Sequence, residues 1–148
     1  MQSAIGRIQL SRMADWTAIR QGYGAQLDQG VKGCNLIRLI EVPVHMSHAE
    51  YKHYMFIKPE CLAEGWSRDK IVNEIVSKGV PCFQGSCSEV YLEKAFDDTG
   101  LRPRSRLVNA KELGETSLMF LVHPTLTQLE INKAVKVINL VILAASKC

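Results

Sequence analysis

Between Ser3 and Leu27 the apolar residues Ile5, Ile8, Met13, Trp16, Ile19, Tyr23 and Leu27 fall mostly three or four apart, the stripe of an amphipathic helix. The spacing predicts one long opening helix. Gly22 and Gly24 lie inside it, each costing about 1 kcal/mol relative to Ala, so a bend or fraying is expected near them. Gln29 to Asn35, with Gly30 and Gly33, reads as the terminating loop. Leu36 to Val44 is rich in Leu, Ile and Val as far as Pro43, and Tyr51 to Ile57 alternates Tyr51, His53, Met55 and Ile57 with Lys52, Tyr54 and Phe56. Both read as strands.

Ser67 has the position and chemistry of an N-cap before Ile71, Val72, Ile75 and Val76, with Gly79 placed to close that helix in a left-handed turn. Val80 to Phe83 reads as a short strand, Glu89 to Phe96 as a helical turn or two, and Asp97 to Pro103 as a loop. Ser105 to Leu113 reads as a short helix ending at Gly114, and Ser117 to Val122 as a strand. Thr127-Gln128-Leu129-Glu130 spells a capping box, after which Ile131, Ala134, Val135, Ile138, Val141 and Ile142 repeat at three and four. Strands and helices thus alternate from Tyr51 onward behind a long helix: one α/β layer domain with a helical arm.

A length of 148 residues suits one such domain, and 47% apolar with 22% charged residues excludes a disordered or low-complexity chain. Eighteen basic against fifteen acidic side chains leave +3, too little to mark a nucleic-acid binder. Five cysteines, none in Cys-x-x-Cys spacing, imply neither a disulfide framework nor a zinc ribbon and fit a reducing cytoplasm. The first residues lack the order of a secretory signal. Val137 to Ala145, flanked by Lys133, Lys136 and Lys147, falls short of the ~20 residues that span a bilayer, so no membrane partner is expected.

Three groups of residues invite chemistry. His45, His48 and His53 raise a metal site, but they match no helical ligand spacing and only Glu50 stands near to complete a set, so no metal is expected. Cys82 and Cys87 flank Phe83-Gln84-Gly85-Ser86 just after a strand. A nucleophile there would need a base and an electropositive setting, and small buried thiols are the commoner case. Arg102, Arg104 and Arg106 around Pro103 could clamp a phosphate, against the plainer reading of a solvated loop. There is no Gly-rich phosphate loop and no Gly-x-Ser-x-Gly, so the chain's own residues form no complete catalytic apparatus.

Several segments, in order, resemble the C-terminal part of the DegT/StrS family of pyridoxal-phosphate-dependent nucleotide-sugar aminotransferases. Ser3-Ala4-Ile5-Gly6-Arg7-Ile8-Gln9-Leu10 resembles the family's Ala-Ala-Ile-Gly-x-x-Gln-Leu helix start, followed by Arg20, Tyr23 and Leu27 at the family's Arg…Tyr…Leu spacing. His53-Tyr54-Met55-Phe56 resembles the strand opening its small domain. Arg68-Asp69 to Gly79-Val80 resembles its Arg-Asp helix, and His123-Pro124-Thr125-Leu126-Thr127…Glu130-Ile131 its His-Pro-x-Leu-Thr…Glu-Ile close. Two departures stand out: Gln84-Gly85-Ser86-Cys87 replaces a His-Tyr-x-Pro segment that lines the sugar site, and Leu121-Val122 replaces Leu-Pro.

The resemblance implies an α/β (α+β) fold: a long N-terminal helix, then a small, mostly antiparallel sheet with helices packed on it, like the C-terminal domain of fold-type I transferases. It implies that residues 1–35 form an arm bridging to a large cofactor-binding domain and that residues 36–148 are the small C-terminal domain. The family's Schiff-base lysine lies in a Ser-x-x-x-x-Lys context of the large domain, which no lysine here matches, so the chain alone is expected to be inactive, to bind no cofactor and to have no catalytic residue. The parent enzyme implied is a cytoplasmic homodimer that uses pyridoxal phosphate to move an amino group, from glutamate, onto a nucleotide-linked keto-sugar. Gln84 and Ser86 carry over as substrate-binding neighbours of the sugar. The rival reading is a stand-alone α/β ligand-binding or interaction module, in which Ile5, Ile8, Met13 and Trp16 would be fully packed rather than uncovered.

Overall fold

A computed structural model describes residues 2–147; Met1 and Cys148, the fifth cysteine, lie outside them. Helix α1 runs Gln2–Gly30, three residues past the expected end, and is continuous through Gly22 and Gly24. The helix does not fray at these glycines, and Gly24 is clamped by packing. It is buried, and a Cβ there would stand 3.0 Å from His53 Nδ1 and 3.3 Å from Glu50 Cδ. The C-terminal carbonyls find a partner from outside the helix, since Asn139 Nδ2 donates to Gly30 O at 2.6 Å.

Strand β1 is only Ile37–Leu39, not Leu36 to Val44, and β2 is His53–Ile57. Their antiparallel register sets Ile37 opposite Ile57 and Leu39 opposite Met55; Ile40 and Glu41, which that register would carry to Tyr54 and His53, are exposed and leave the sheet, and Pro43 beyond them has no N–H to offer. Helix α2, Arg68–Ser77, begins as expected with Ser67 Oγ accepting from Lys70 N at 3.2 Å, and Gly79 adopts φ +75° behind it. Strand β3 is Cys82–Phe83, followed by two 3₁₀ turns at Val90–Leu92 and Lys94–Phe96.

Helix α3 is Val108–Thr116, shifted three residues from the expected Ser105 start, and it runs through Gly114 directly into β4, Ser117–Phe120. Gly114 does not end the helix; it lets Ser88 approach, for a Cβ there would lie 2.4 Å from Ser88 Oγ. Helix α4, Gln128–Ala145, carries the expected capping box: Thr127 N donates to Glu130 Oε2 at 2.7 Å while Thr127 Oγ1 accepts from Glu130 N at 3.3 Å.

The four strands form one antiparallel sheet in the order β1-β2-β4-β3, the α/β arrangement that the sequence pointed to. Because side chains alternate across a strand, Met55, Ile57, Leu118, Phe120 and Cys82 share one face. That face joins Ile71 and Ile75 of α2, Ile138 and Ile142 of α4, and Leu27 of α1 in a single buried core. Each such side chain contributes about 1.5–3 kcal/mol by leaving water, which is why the amphipathic stripes of α2 and α4 find the sheet. The opposite face presents Arg38, Tyr54, Phe56, Phe83, Ser117 and Met119.

Candidate functional site: the loop after strand β3

Beyond Phe83 the chain leaves the edge of the sheet and crosses its second face. Gly85, at φ +93°, makes this crossing possible: a Cβ there would stand 3.0 Å from both Tyr54 Cε1 and Ser117 Oγ, on β2 and β4. Three contacts fix the loop. The Ser117 hydroxyl donates to the Gln84 carbonyl, Tyr54 Oη and Ser86 Oγ lie 3.0 Å apart, and Gln84 Nε2 donates to Asp69 Oδ1 at 3.0 Å. Gln84 and Ser86, the two expected substrate neighbours, thus sit on one anchored loop with exposed side chains. Both line a cavity of about 450 Å³, with Cys87, Arg106, Gly114 and Glu115.

The far wall of that cavity is held by an ion pair that links positions 17 residues apart. Arg106 grips Glu89 through both guanidinium arms and reaches Glu115 at 3.1 Å. Its guanidinium, with help from the Tyr91 hydroxyl, holds the Glu89 carboxyl down at about 2. Tyr91 Oη donates to Glu89 and accepts from Leu107 N at 3.0 Å, tying the 3₁₀ turn to the start of α3. Arg102 donates to the carbonyls of Tyr91, Leu92 and Glu93 and pairs with Asp97. Arg102 and Arg106 therefore serve as internal staples, and the three arginines do not converge on a phosphate site.

The remaining candidates resolve as follows. Cys82 is buried, and burial pushes its thiol up to about 12. Cys87 is exposed, but its Sγ lies 3.3 Å from Glu93 Oε1, and that contact raises its pKa, the wrong direction for a nucleophile. His48 and His53 do meet around Glu50, with His48 Nδ1 at 3.0 Å and His53 Nδ1 at 3.1 Å from its two oxygens. His53 Nε2 is taken by Asp28 Oδ1 of α1 at 2.8 Å, a partner that sequence reasoning missed because it lies 25 residues upstream. Burial opposes charge on His53, but hydrogen bonds from its ring to Asp28 and Glu50 outweigh it and raise the pKa to about 9. With both ring nitrogens on carboxylates, this is an ion triad that fastens α1 to β2. No group of three or more His, Cys, Asp or Glu among the described residues is arranged to hold a metal ion.

This fold, with a polar loop pinned on the second face of an antiparallel sheet, has clear relatives. The chain belongs to the DegT/DnrJ/EryC1/StrS aminotransferase family, whose sequence profile matches residues 1–139. It is similar to an aminotransferase from Psychrobacter cryohalolentis, with 48% identity and a TM-score of 0.92 over 97% of this chain and 38% of that one. The aminotransferase TlmJ from Streptoalloteichus hindustanus shares the fold at 18% identity and TM-score 0.80, covering 95% of this chain and 35% of that one. DesV from S. venezuelae, whose structure is a complex with a ketimine intermediate, does so at 18% identity and TM-score 0.79, covering 93% and 35%. No curated protein matches the chain. The chain therefore spans little more than a third of the length of these relatives.

Among the described residues, those around the apolar cavity between α1, β4 and α4 do not fit pyridoxal phosphate. Lys133 lines an apolar cavity of about 330 Å³ with Leu27, Phe120 and Ile131, but its ammonium donates to Gly79 O at 3.1 Å, Glu130 beside it is committed to the α4 cap, and no arginine lines the cavity to take a phosphate. No helix among the described residues is long and apolar enough to cross a membrane.

Proposed function

We propose that the chain acts as the small domain of a pyridoxal-phosphate-dependent sugar aminotransferase, a cytoplasmic homodimer that moves an amino group from glutamate to a nucleotide-linked keto-sugar. The cofactor and its lysine belong, in this reading, to the part of the relatives' length that this chain does not span. The chain contributes a wall of the site, with Gln84 and Ser86 facing the sugar, and residues 1–35 form the arm to the large domain. The observation that carries this is the match of nearly the whole chain to a 48% identical aminotransferase. Exposure of Ile5, Ile8 and Met13, each more than half open to solvent, also supports it over a self-sufficient module, in which that stripe would be packed.

The test is a chimera in which this chain replaces the matching part of the Psychrobacter enzyme. Pyridoxal phosphate binding and glutamate-dependent amination of a nucleotide-linked keto-sugar are expected. A folded, dimeric chimera that binds the cofactor and aminates no such sugar would defeat the substrate reading. The 148-residue chain alone, mixed with pyridoxal phosphate and reduced with borohydride, should yield no stoichiometric, site-specific pyridoxyl-lysine.

A further inference from the structure

The Gln84 side chain has two faces, an amide NH2 that only donates and a carbonyl Oε1 that only accepts, and which one meets a ligand depends on what holds the other. A carboxylate holds it here. Asp69 Oδ1, in the first turn of α2, accepts from Gln84 Nε2 at 3.0 Å and from Arg68 Nε at 2.6 Å. A carboxylate oxygen cannot donate, so the amide cannot be reversed without losing the contact. Arg68 is itself fixed, since its Nη1 donates to Gly114 O at 2.9 Å and Ser117 O at 3.2 Å at the junction of α3 and β4. The same Ser117 donates through its hydroxyl to the Gln84 carbonyl of the main chain. Both ends of Gln84 are thus referenced to one rigid corner, and among the described residues nothing donates to its Oε1.

We propose that Asp69, backed by Arg68, is a positioning residue that turns Gln84 Oε1 toward the ligand, so that the loop selects a donor such as a sugar hydroxyl at the contacted carbon. This rests on the reading that the loop from Gln84 to Ser86 lines the sugar site. Where the family's segment offers a ring nitrogen or a phenol, this chain offers an oriented carbonyl. A keto or ether oxygen at that carbon would face it acceptor to acceptor, and binding would weaken.

The experiment uses the isotope-labelled chimera with the Psychrobacter enzyme and UDP-glucose, with the Gln84 side-chain amide identified by its loss in Gln84→Leu. In the unaltered protein one Nε2 proton is expected downfield of the other, and the pair collapses toward free-amide shifts in Asp69→Ala and recovers in part in Asp69→Glu. UDP-glucose should move the Gln84 amide, and its Kd should rise about tenfold in Asp69→Ala, the loss of one oriented hydrogen bond. Unchanged backbone amides in the sheet guard against a folding defect. Gln84→Leu, which leaves the α2 cap alone, should weaken UDP-glucose at least as much. An identical Gln84 amide in the unaltered protein and Asp69→Ala, or an identical UDP-glucose Kd, overturns the positioning role. An intact Asp69 effect on the amide with no response of Gln84 or Ser86 to UDP-glucose instead removes the loop from the sugar site, and the acceptor role falls with it.

Discussion

The two halves of α1 share one periodicity and have opposite environments. From Gln2 to Asp15 every side chain is exposed, with Ile5 at 53%, Ile8 at 52% and Met13 at 54%. From Tyr23 onward the same stripe is in the core: Leu27 is 1% exposed, the Tyr23 hydroxyl donates to Leu126 O at 2.8 Å, and Asp28 pairs with His53. The lesson is that an amphipathic stripe states that a helix wants a partner without saying which. The C-terminal half finds its partner in β2 and α4 of the same chain; the N-terminal half presents the surface that the proposed large domain would cover.

Truncation should expose the difference most strongly. Leu27→Ala opens a cavity in the core and is expected to cost about 2–5 kcal/mol, while Ile8→Ala at an open position should stay within about 0.5 kcal/mol. Urea midpoints of the two variants give the contrast, and equal losses would mean that the N-terminal half is packed.

Titration of His53 comes next. Its folded pKa is raised from 6.5 to about 9, so the stability it contributes is complete below about pH 6.5 and is lost as pH rises through 9. The shift sets a ceiling of about 3 kcal/mol. Glu50 runs the other way: burial opposes its charge, but hydrogen bonds from His53 and His48 hold its pKa below 4.5, so its contribution fades as pH falls past that range. A stability profile peaking between these limits is expected, and His53→Phe should remove the alkaline limb. A flat profile from pH 6 to 10 would show that the triad does not fasten α1.

Glycine substitutions should then change sign along one helix. Gly6→Ala and Gly22→Ala meet nothing within 4 Å and should gain up to about 1 kcal/mol from helix propensity. Gly24→Ala should lose stability, because the His53 ring and Glu50 carboxylate that it would press are held by their own hydrogen bonds. Thermal melts of the three variants decide this. The smallest effect on folding, though a clear one on assembly, belongs to Ile8→Glu. Light scattering should show the unaltered chain self-associating at high concentration and the variant monomeric, with the melting temperature unchanged.

What the sequence could determine were the features written within one or two helical turns. The Ser67 cap, the Thr127–Glu130 capping box, the left-handed Gly79 and the apolar stripes of α2 and α4 all depend on neighbours three or four residues away, so their residues are legible in order. Family membership was legible for a related reason, since several short motifs kept their order along the chain. Gln84 and Ser86 could be named from that order, but their setting could not, because Asp69, Tyr54 and Ser117 reach them from 15 to 33 residues away.

Tertiary structure decided the rest. It ended β1 at the Leu39–Met55 pair, with Ile40 and the residues after it exposed, and it moved α3 because Arg106 was already committed to Glu89 and Gly114 to the approach of Ser88. It turned His53 of an apparent metal cluster into the centre of an ion triad with Asp28 and Glu50, and Arg102 and Arg106 into staples. In each case the deciding contact joins residues far apart in the chain. Local pattern fixes which surfaces are apolar and which groups can donate, while the closure of the sheet selects the partner that each one meets.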